Sequence, residues 1–218
     1  TAAALYGLRA SNGVIIIETR KGDEASKGKP SISFESNYNF DQLSLDPRYQ
    51  KVFAQGENGN FVPHSAFSWG PKISEMGTYT NQLGEQEEAA VYDNVGDLFK
   101  TGGTFNTNLL VSNSLEKVNY AINLGYTDQE GILSGFNMQR INLKFAGGYD
   151  ISDKLKVNTS VSYSNTSTRS VDLPWWGTFA VPVSYNLKGK PTHVPGDPFR
   201  QINFRGQHDN YYWALENN

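Results

Sequence analysis

Hydrophobic and polar residues alternate with a period of two through most of the chain after residue 30. Successive side chains of a β-strand point to opposite faces, so this period predicts strands with one apolar and one polar face. Five such segments are clear, and Tyr211-Tyr212-Trp213 predicts the start of a sixth strand. The apolar positions are Ile32, Phe34, Tyr38 and Phe40; Phe105, Leu109 and Val111; Val118, Tyr120, Ile122, Leu124 and Tyr126; Ile141, Leu143, Phe145, Tyr149 and Ile151; and Leu155, Val157, Val161 and Tyr163.

The connections between these strands alternate in length along the chain. Two are tight turns, at 114–117 and 152–154, and three are long, at about 41–104, 128–139 and 165–210. In an up-and-down meander, alternate connections lie at opposite ends of the sheet, so all the short turns share one rim. This is the arrangement of outer-membrane β-barrels, with short periplasmic turns and longer extracellular loops.

Strand length and residue type agree with a membrane-spanning barrel. The ten residues 118–127 extend about 33 Å, and a tilt of about 40° gives a rise of roughly 25 Å, the height of the apolar band on such barrels. Tyrosines lie near both rims, as interfacial girdles require: Tyr120 and Tyr149 by the short turns, and Tyr38, Tyr126 and Tyr163 by the long loops.

A soluble β-sandwich is the structural alternative, since its sheets also alternate. Its polar face normally carries many charges, whereas here that face holds mainly Ser, Asn, Thr and Gly, with Glu35, Lys144 and Lys156. Connections as long as 41–104 are also unusual in a sandwich. The pattern therefore favours the barrel over the sandwich.

Composition excludes several other classes. The 218 residues carry 19 Lys and Arg against 22 Asp and Glu, a net charge of −3, so the basic surplus of a nucleic-acid binder is missing. No apolar run is longer than Ala2–Tyr6, whereas a transmembrane helix needs about 20 apolar residues. There is no Cys, so disulfides and thiolate metal sites are excluded.

The first 29 residues follow a different pattern. Ala2–Tyr6 favours a short helix, Gly7 and Asn12-Gly13 favour turns, and Val14–Thr19 favours a buried strand. This indicates a small α/β fragment that ends in a linker, Gly22–Pro30. Because the chain starts at Thr1 without Met and the apparent sixth strand has no closing element, we expect both ends to continue into a longer protein.

No catalytic, metal or phosphate site is predicted. Gly22–Pro30 has five residues between its outer glycines and a Pro after the Lys, which departs from a phosphate-binding loop. His64, His193 and His208 are far apart, and the acidic cluster Glu85, Glu87 and Glu88 is better explained as a solvated loop face than as a calcium site. No nucleophile has a recognisable base partner, so we expect neither an enzyme nor a cofactor.

Aromatic residues in the long loops are the best ligand-binding candidates. Aromatic faces stack on sugar faces or peptide side chains, and their polar tips form hydrogen bonds. Loop packing, docking to a partner and girdle positions are the structural alternatives for each of them. The candidates are Trp69, Trp175, Trp176, Tyr211, Tyr212 and Trp213.

Spaced motifs resemble one family along nearly the whole chain. The residues Tyr6, Gly7, Arg9, Asn12, Gly13, Val14, Ile15, Thr19, Lys21 and Gly22 resemble the end of the plug domain in TonB-dependent transporters of the SusC/RagA type from Bacteroidetes. Further matches follow in the same order at 68–72, 92–94, 99–102, 119–120, 124–132 and 163–166. The segment departs from the usual motif at Leu8, Ala10 and Glu18.

This resemblance implies a fold and a function. Residues 1–29 would be the end of the α/β plug and its linker, and 30–218 the first five to six strands of an antiparallel transmembrane β-barrel of roughly 22 strands. It implies TonB-dependent import of oligosaccharides or oligopeptides across the outer membrane of a Gram-negative bacterium, with a SusD-like lid lipoprotein and no cofactor. The alternatives are a soluble or surface-anchored β-domain that binds glycan, and a passive porin or adhesin barrel.

Overall fold

A computed structural model describes residues 28–44, 48–172, 174–206 and 209–217. The plug residues predicted between Tyr6 and Gly22 lie outside this part of the chain. The described elements are β1 (Ser31–Asp41), β2 (Gly56–Glu57), β3 (Asn60–Phe61), α1 (Ile73–Met76), β4 (Thr78–Thr80), β5 (Gln86–Glu88), a 3-10 helix (Gly96–Leu98), β6 (Gly102–Ser114), β7 (Val118–Glu130), β8 (Asn137–Ser152), β9 (Leu155–Arg169), α2 (Trp175–Phe179), β10 (His193–Val194), β11 (Asp197–Gln201) and α3 (Tyr211–Asn217).

Within the described residues, five long strands form one sheet in the order β1-β6-β7-β8-β9. Neighbours are antiparallel: β7 and β8 are linked near one end by Gly131 N donating to Phe136 O (2.9 Å), and near the other by Asp150 N donating to Lys117 O (2.9 Å). The tight connections 115–117 and 153–154 therefore lie at the same end of the sheet. The predicted antiparallel meander is confirmed.

The two faces of the sheet differ as the alternation predicts. Large apolar side chains on one face are exposed, for example Ile32 (68%), Val161 (62%) and Tyr163 (59%). On the opposite face, Ser164 Oγ donates to Asn142 Oδ1 at 2.8 Å. We call these the apolar face and the polar face. In the described residues, no second sheet covers the apolar face.

The prediction of a second long connection at 128–139 is wrong. Strand β7 continues through polar residues to Glu130, and β8 already begins at Asn137, so only residues 131–136 connect them. Loss of the alternating pattern does not end these strands, because their backbones remain paired up to the bond between Gly131 and Phe136. Lys100 also forms an ion pair with Glu130 at this end.

The prediction of a sixth strand that starts at Tyr211 is also wrong, because Tyr211–Asn217 is helix α3. Asn210 accounts for the difference. Its Oδ1 accepts hydrogen bonds from the backbone N of Tyr212 (2.9 Å) and Trp213 (3.3 Å), which is the geometry of a helix N-cap. Tyr211 and Ala214, one turn apart, are the buried face of the helix.

The chain divides into two compact units. Among the described residues, unit 1 comprises those within 28–37, 106–126 and 140–165, and unit 2 comprises those within 38–105, 127–139 and 166–217. Unit 2 has a hydrophobic core of its own, formed by Leu98, Val171, Val181, Tyr185, Leu187, Phe204, Tyr211 and Ala214. The first and third long connections therefore fold together rather than forming extended loops.

Buried amides join these two connections within unit 2. Asn94 Nδ2 donates to the carbonyl oxygens of Pro182 (3.1 Å) and Tyr185 (2.8 Å), and Asn94 Oδ1 accepts from Leu187 N (3.1 Å). The backbone N of Gln55 donates to Ser184 Oγ at 2.9 Å. Buried polar groups need such partners, so these bonds fix how the two connections pack. The helices of the described residues are too short or too polar to cross a bilayer.

Candidate functional site

A partly buried polar cluster lies in unit 2 beside the predicted acidic group. Glu87 forms an ion pair with Lys190, and their side chains are only 14% and 6% exposed. Asn81 Nδ2 donates to both Glu85 Oε2 and Glu87 Oε2 at 3.1 Å. The Lys190 ammonium also lies 5.9 Å from the centre of the Tyr185 ring. Glu87 is therefore neutralised by the protein itself, whereas Glu85 and Glu88 are exposed.

Burial controls the ionisation of the tyrosines around this cluster. Burial is the main cause that raises the pKa of Tyr79 and of Tyr92, and the negative charge of the Glu87 carboxylate raises both further. Burial is also the main cause that raises the pKa of Tyr185 to about 12, although a hydrogen bond from Gln82 opposes it. These tyrosines are neutral hydrogen-bonding groups at neutral pH, so none is prepared to act as a base.

The described residues contain no group of three or more His, Asp or Glu arranged to hold a metal ion. His64 Nδ1 lies 3.3 Å from Phe204 O, and His193 Nδ1 lies 3.9 Å from Glu216 Oε2. His208 is outside the described residues. The placed histidines thus serve contacts between segments of unit 2.

Among the predicted ligand candidates whose side chains are described, Trp69 is the most exposed. Its side chain is 72% exposed, and Phe67 beside it is 59% exposed. Both line a shallow pocket with Glu57, Asn58 and Gly59. Phe67 was not among the predicted candidates, although two aromatic residues separated by one position in Phe67-Ser68-Trp69 are a usable signal.

The aromatic residues of α3 are placed differently. Tyr211 is 1% exposed and belongs to the core of unit 2, with Tyr212 packed against that core. Trp213 donates from Nε1 to Pro198 O at 2.8 Å. These contacts correspond to the loop-packing alternative, although ligand contact by the three residues stays untested. The side chains of Trp175 and Trp176 lie outside the described part of the structure.

The chain is similar to curated TonB-dependent receptors. It is 27% identical to TonB-dependent receptor SusC of Bacteroides thetaiotaomicron over 175 residues, 79% of this chain and 16% of the receptor. It is 27% identical to TonB-dependent receptor P26 of Formosa agariphila over 164 residues, 74% of this chain and 15% of the receptor. The chain resembles SusC-type TonB-dependent receptors. This confirms the resemblance that the spaced motifs predict.

A solved structure shows the same fold as this SusC-like chain. A chain of the RagAB peptide importer in the "closed-closed" state matches with a TM-score of 0.58 and 20% identity, over 96% of this chain and 26% of that chain. No family model matches. The SusC-like chain spans about a sixth of the length of the curated relatives it matches.

Proposed function

We propose that this chain is part of a TonB-dependent importer in the outer membrane of a Gram-negative bacterium. One observation carries the proposal: exposed apolar side chains follow the same face of five consecutive antiparallel strands, opposite a polar face. Exposing so much apolar surface to water is unfavourable, but the same face is suited to lipid when the strands belong to a barrel. The similarity to SusC supports this interpretation.

The proposal assigns a part to each region of the chain. Residues 1–29 are the end of the plug and its linker, on which TonB acts through a more N-terminal segment. Residues 30–218 supply barrel strands and extracellular connections. A SusD-like surface lipoprotein covers the barrel mouth, and an oligosaccharide or oligopeptide is held beneath it. The similarity to a receptor named SusC and to a structure of a peptide importer supports these partners and substrates.

Unit 2 contributes a preformed surface in this mechanism. Its hydrophobic core and buried amides hold the first and third connections in one conformation, which lowers the entropy lost when a partner or substrate binds. Transport requires no bond chemistry from these residues. The loop aromatics Trp69, Trp175, Trp176, Tyr212 and Trp213 remain the proposed substrate contacts, with Trp69 the most accessible of those described. Tyr211 packs in the core of unit 2 and would act only by holding α3 in place.

Uptake in deletion strains tests the proposal. Growth on the transported nutrient is compared between the parent strain, a strain without the lid lipoprotein gene and a strain without the TonB gene. Active import predicts loss of uptake in both deletion strains. Unchanged uptake in both would instead favour a passive channel. A complete protein that stays monodisperse in buffer without detergent would contradict membrane insertion altogether.

A further inference from the structure

The two short turns of the sheet carry the same pair of charged residues. Residues 115–117 connect β6 to β7, and residues 153–154 connect β8 to β9. The first turn contains Glu116-Lys117 and the second contains Asp153-Lys154, so an acidic residue precedes a lysine in each. All four residues are exposed. We call them the turn charges, and because both turns lie at the same end of the sheet, the turn charges share one rim.

The protein itself does not neutralise the turn charges. In the described part of the chain, none of the four takes part in an ion pair, whereas Lys156 Nζ and Asp150 Oδ2, close by on β9 and β8, lie 2.8 Å apart. The turn backbones are held by hydrogen bonds: Leu115 N donates to Val118 O (2.7 Å), and Asp150 N donates to Lys117 O (2.9 Å). The backbone positions are therefore fixed while the charged groups are available to a ligand.

The turn charges adjoin the surface that the proposed function assigns to lipid. Leu155, which directly follows Lys154, is 52% exposed and shares the apolar face with Val161. Leu115, which directly precedes Glu116, is 50% exposed. In a barrel the apolar band ends where the lipid headgroups begin. In the proposed barrel, the turn charges are therefore at the depth of the headgroups.

The order of the charges selects a kind of lipid. We propose that each turn binds the headgroup of phosphatidylethanolamine, an inference that rests on the proposed outer-membrane function. Lys117 and Lys154 donate hydrogen bonds to the phosphate, and Glu116 and Asp153 accept hydrogen bonds from the primary ammonium. Neighbouring Cα atoms are about 3.8 Å apart, which suits a headgroup whose two charges are joined by a two-carbon link. Strands about 4.8 Å apart place the two turns about 10 Å apart, so each turn binds its own headgroup.

Other headgroups fit the turn charges less well. The quaternary ammonium of phosphatidylcholine has no N–H to donate to a carboxylate. Phosphatidylglycerol has a phosphate but no cation, so the lysines attract it while Glu116 and Asp153 repel it. Lys29 adds a positive charge near the first turn, because the neighbouring Gly28 N donates to Ser114 O at 2.9 Å. This charge favours every phosphate, and the carboxylates therefore decide between the lipids.

Local photo-crosslinking tests this inference. The complete protein, with p-benzoylphenylalanine in place of Leu155, is inserted into vesicles that contain phosphatidylethanolamine, phosphatidylcholine and phosphatidylglycerol in equal amounts and with the same acyl chains. Mass spectrometry counts the captured lipids. We expect phosphatidylethanolamine to be captured about fivefold more often than either other lipid, the size of one charged contact at a lipid surface.

Paired substitutions separate the two charges of each turn. Glu116→Gln with Asp153→Asn should remove the advantage of phosphatidylethanolamine over phosphatidylcholine and raise the capture of phosphatidylglycerol. Lys117→Gln with Lys154→Gln should lower the capture of phosphatidylglycerol most, because that lipid offers only a phosphate. The matched control, Lys72→Gln with Glu75→Gln, removes an exposed acid–lysine pair from α1 in unit 2 and should leave the lipid preference unchanged.

The outcomes distinguish this inference from the proposed function. Equal capture of the three lipids would overturn the inference, as would a preference for phosphatidylglycerol. A preference for phosphatidylethanolamine that survives Glu116→Gln with Asp153→Asn would overturn it as well. These three results leave the proposed import intact, whereas capture of no lipid at Leu155 would contradict the membrane-spanning barrel and this inference together.

Discussion

A charge placed on the apolar face distinguishes lipid contact from water contact. Val161 and Ser162 are adjacent on β9, lie on opposite faces and are both exposed. We compare Val161→Arg with the matched control Ser162→Arg in the complete protein. Both variants add the same side chain at nearly the same height, so the difference between them reports the environment of each face.

The magnitude follows from the position of Val161 in the strand. The apolar positions of β9 run from Leu155 to Tyr163, so Val161 lies two residues from their midpoint, about 6.6 Å along the strand. A tilt of about 40° makes this about 5 Å in height, well inside an apolar band roughly 25 Å tall. Arg costs about 2–4 kcal/mol at the bilayer midplane, and at this depth we expect about 2 kcal/mol.

Urea unfolding in phospholipid vesicles, followed by tryptophan fluorescence, measures the two free energies. We expect Val161→Arg to lower the free energy of unfolding by about 2 kcal/mol relative to Ser162→Arg. If the apolar face contacted water, both substitutions would remain within about 0.5 kcal/mol of the unaltered protein. Equal free energies for the two variants would refute the assignment of this face to lipid.

Three further predictions concern unit 2 and are checked by unfolding of the complete protein. Lys190→Met leaves the partly buried Glu87 carboxylate without its ion-pair partner and should lower the free energy of unfolding by about 3–5 kcal/mol. Adding Glu87→Leu should restore part of that loss. An equal loss in the single and double variants would contradict a coupled pair. Gly56→Ala should destabilise by more than about 1 kcal/mol, because its Cβ would meet a carbonyl oxygen at 2.0 Å, while Gly206→Ala, with open space around its Cβ, should change stability little. Burial raises the pKa of Tyr185 to about 12 from about 10, so the unfolded chain loses this proton at lower pH than the folded protein. The stabilisation from Tyr185 should therefore be lost as the pH rises from about 10 to about 12. If the free energy of unfolding of Tyr185→Phe fell equally steeply over this pH range, the prediction would be contradicted.

The strands could be predicted from the sequence because each carries its own signal. In β9, Leu155, Val157, Val161 and Tyr163 alternate with polar residues, and this period alone determines which side chains share a face. The ends were harder to predict: β7 and β8 continue beyond their alternating segments because backbone pairing persists there. Periodicity reports where one face is apolar rather than where hydrogen bonding stops.

Unit 2 could not be predicted in the same way, because its core joins distant segments. Leu98 and Phe204 pack in one cluster although more than a hundred positions separate them, and no local period marks either. Tyr211-Tyr212-Trp213 has strong strand propensity, yet the cap at Asn210 and the burial of Tyr211 favour a helix. Among the site residues, Trp69 was identified by residue type alone, whereas Lys190 gave no sequence signal of its burial.

The accessibility of β9 to molecular oxygen, position by position, tests the lipid-facing assignment most directly. These 218 residues contain no cysteine. With any cysteine elsewhere in the complete protein replaced by serine, single cysteines at each position from Leu155 to Tyr163 accept a nitroxide spin label without competing thiols. In vesicles of the complete protein, we expect high collision rates with molecular oxygen at the odd-numbered positions, which contact lipid, and low rates at the even-numbered positions. Oxygen collision rates that show no period of two, or that are higher at Lys156, Asn158 and Ser162, would contradict it.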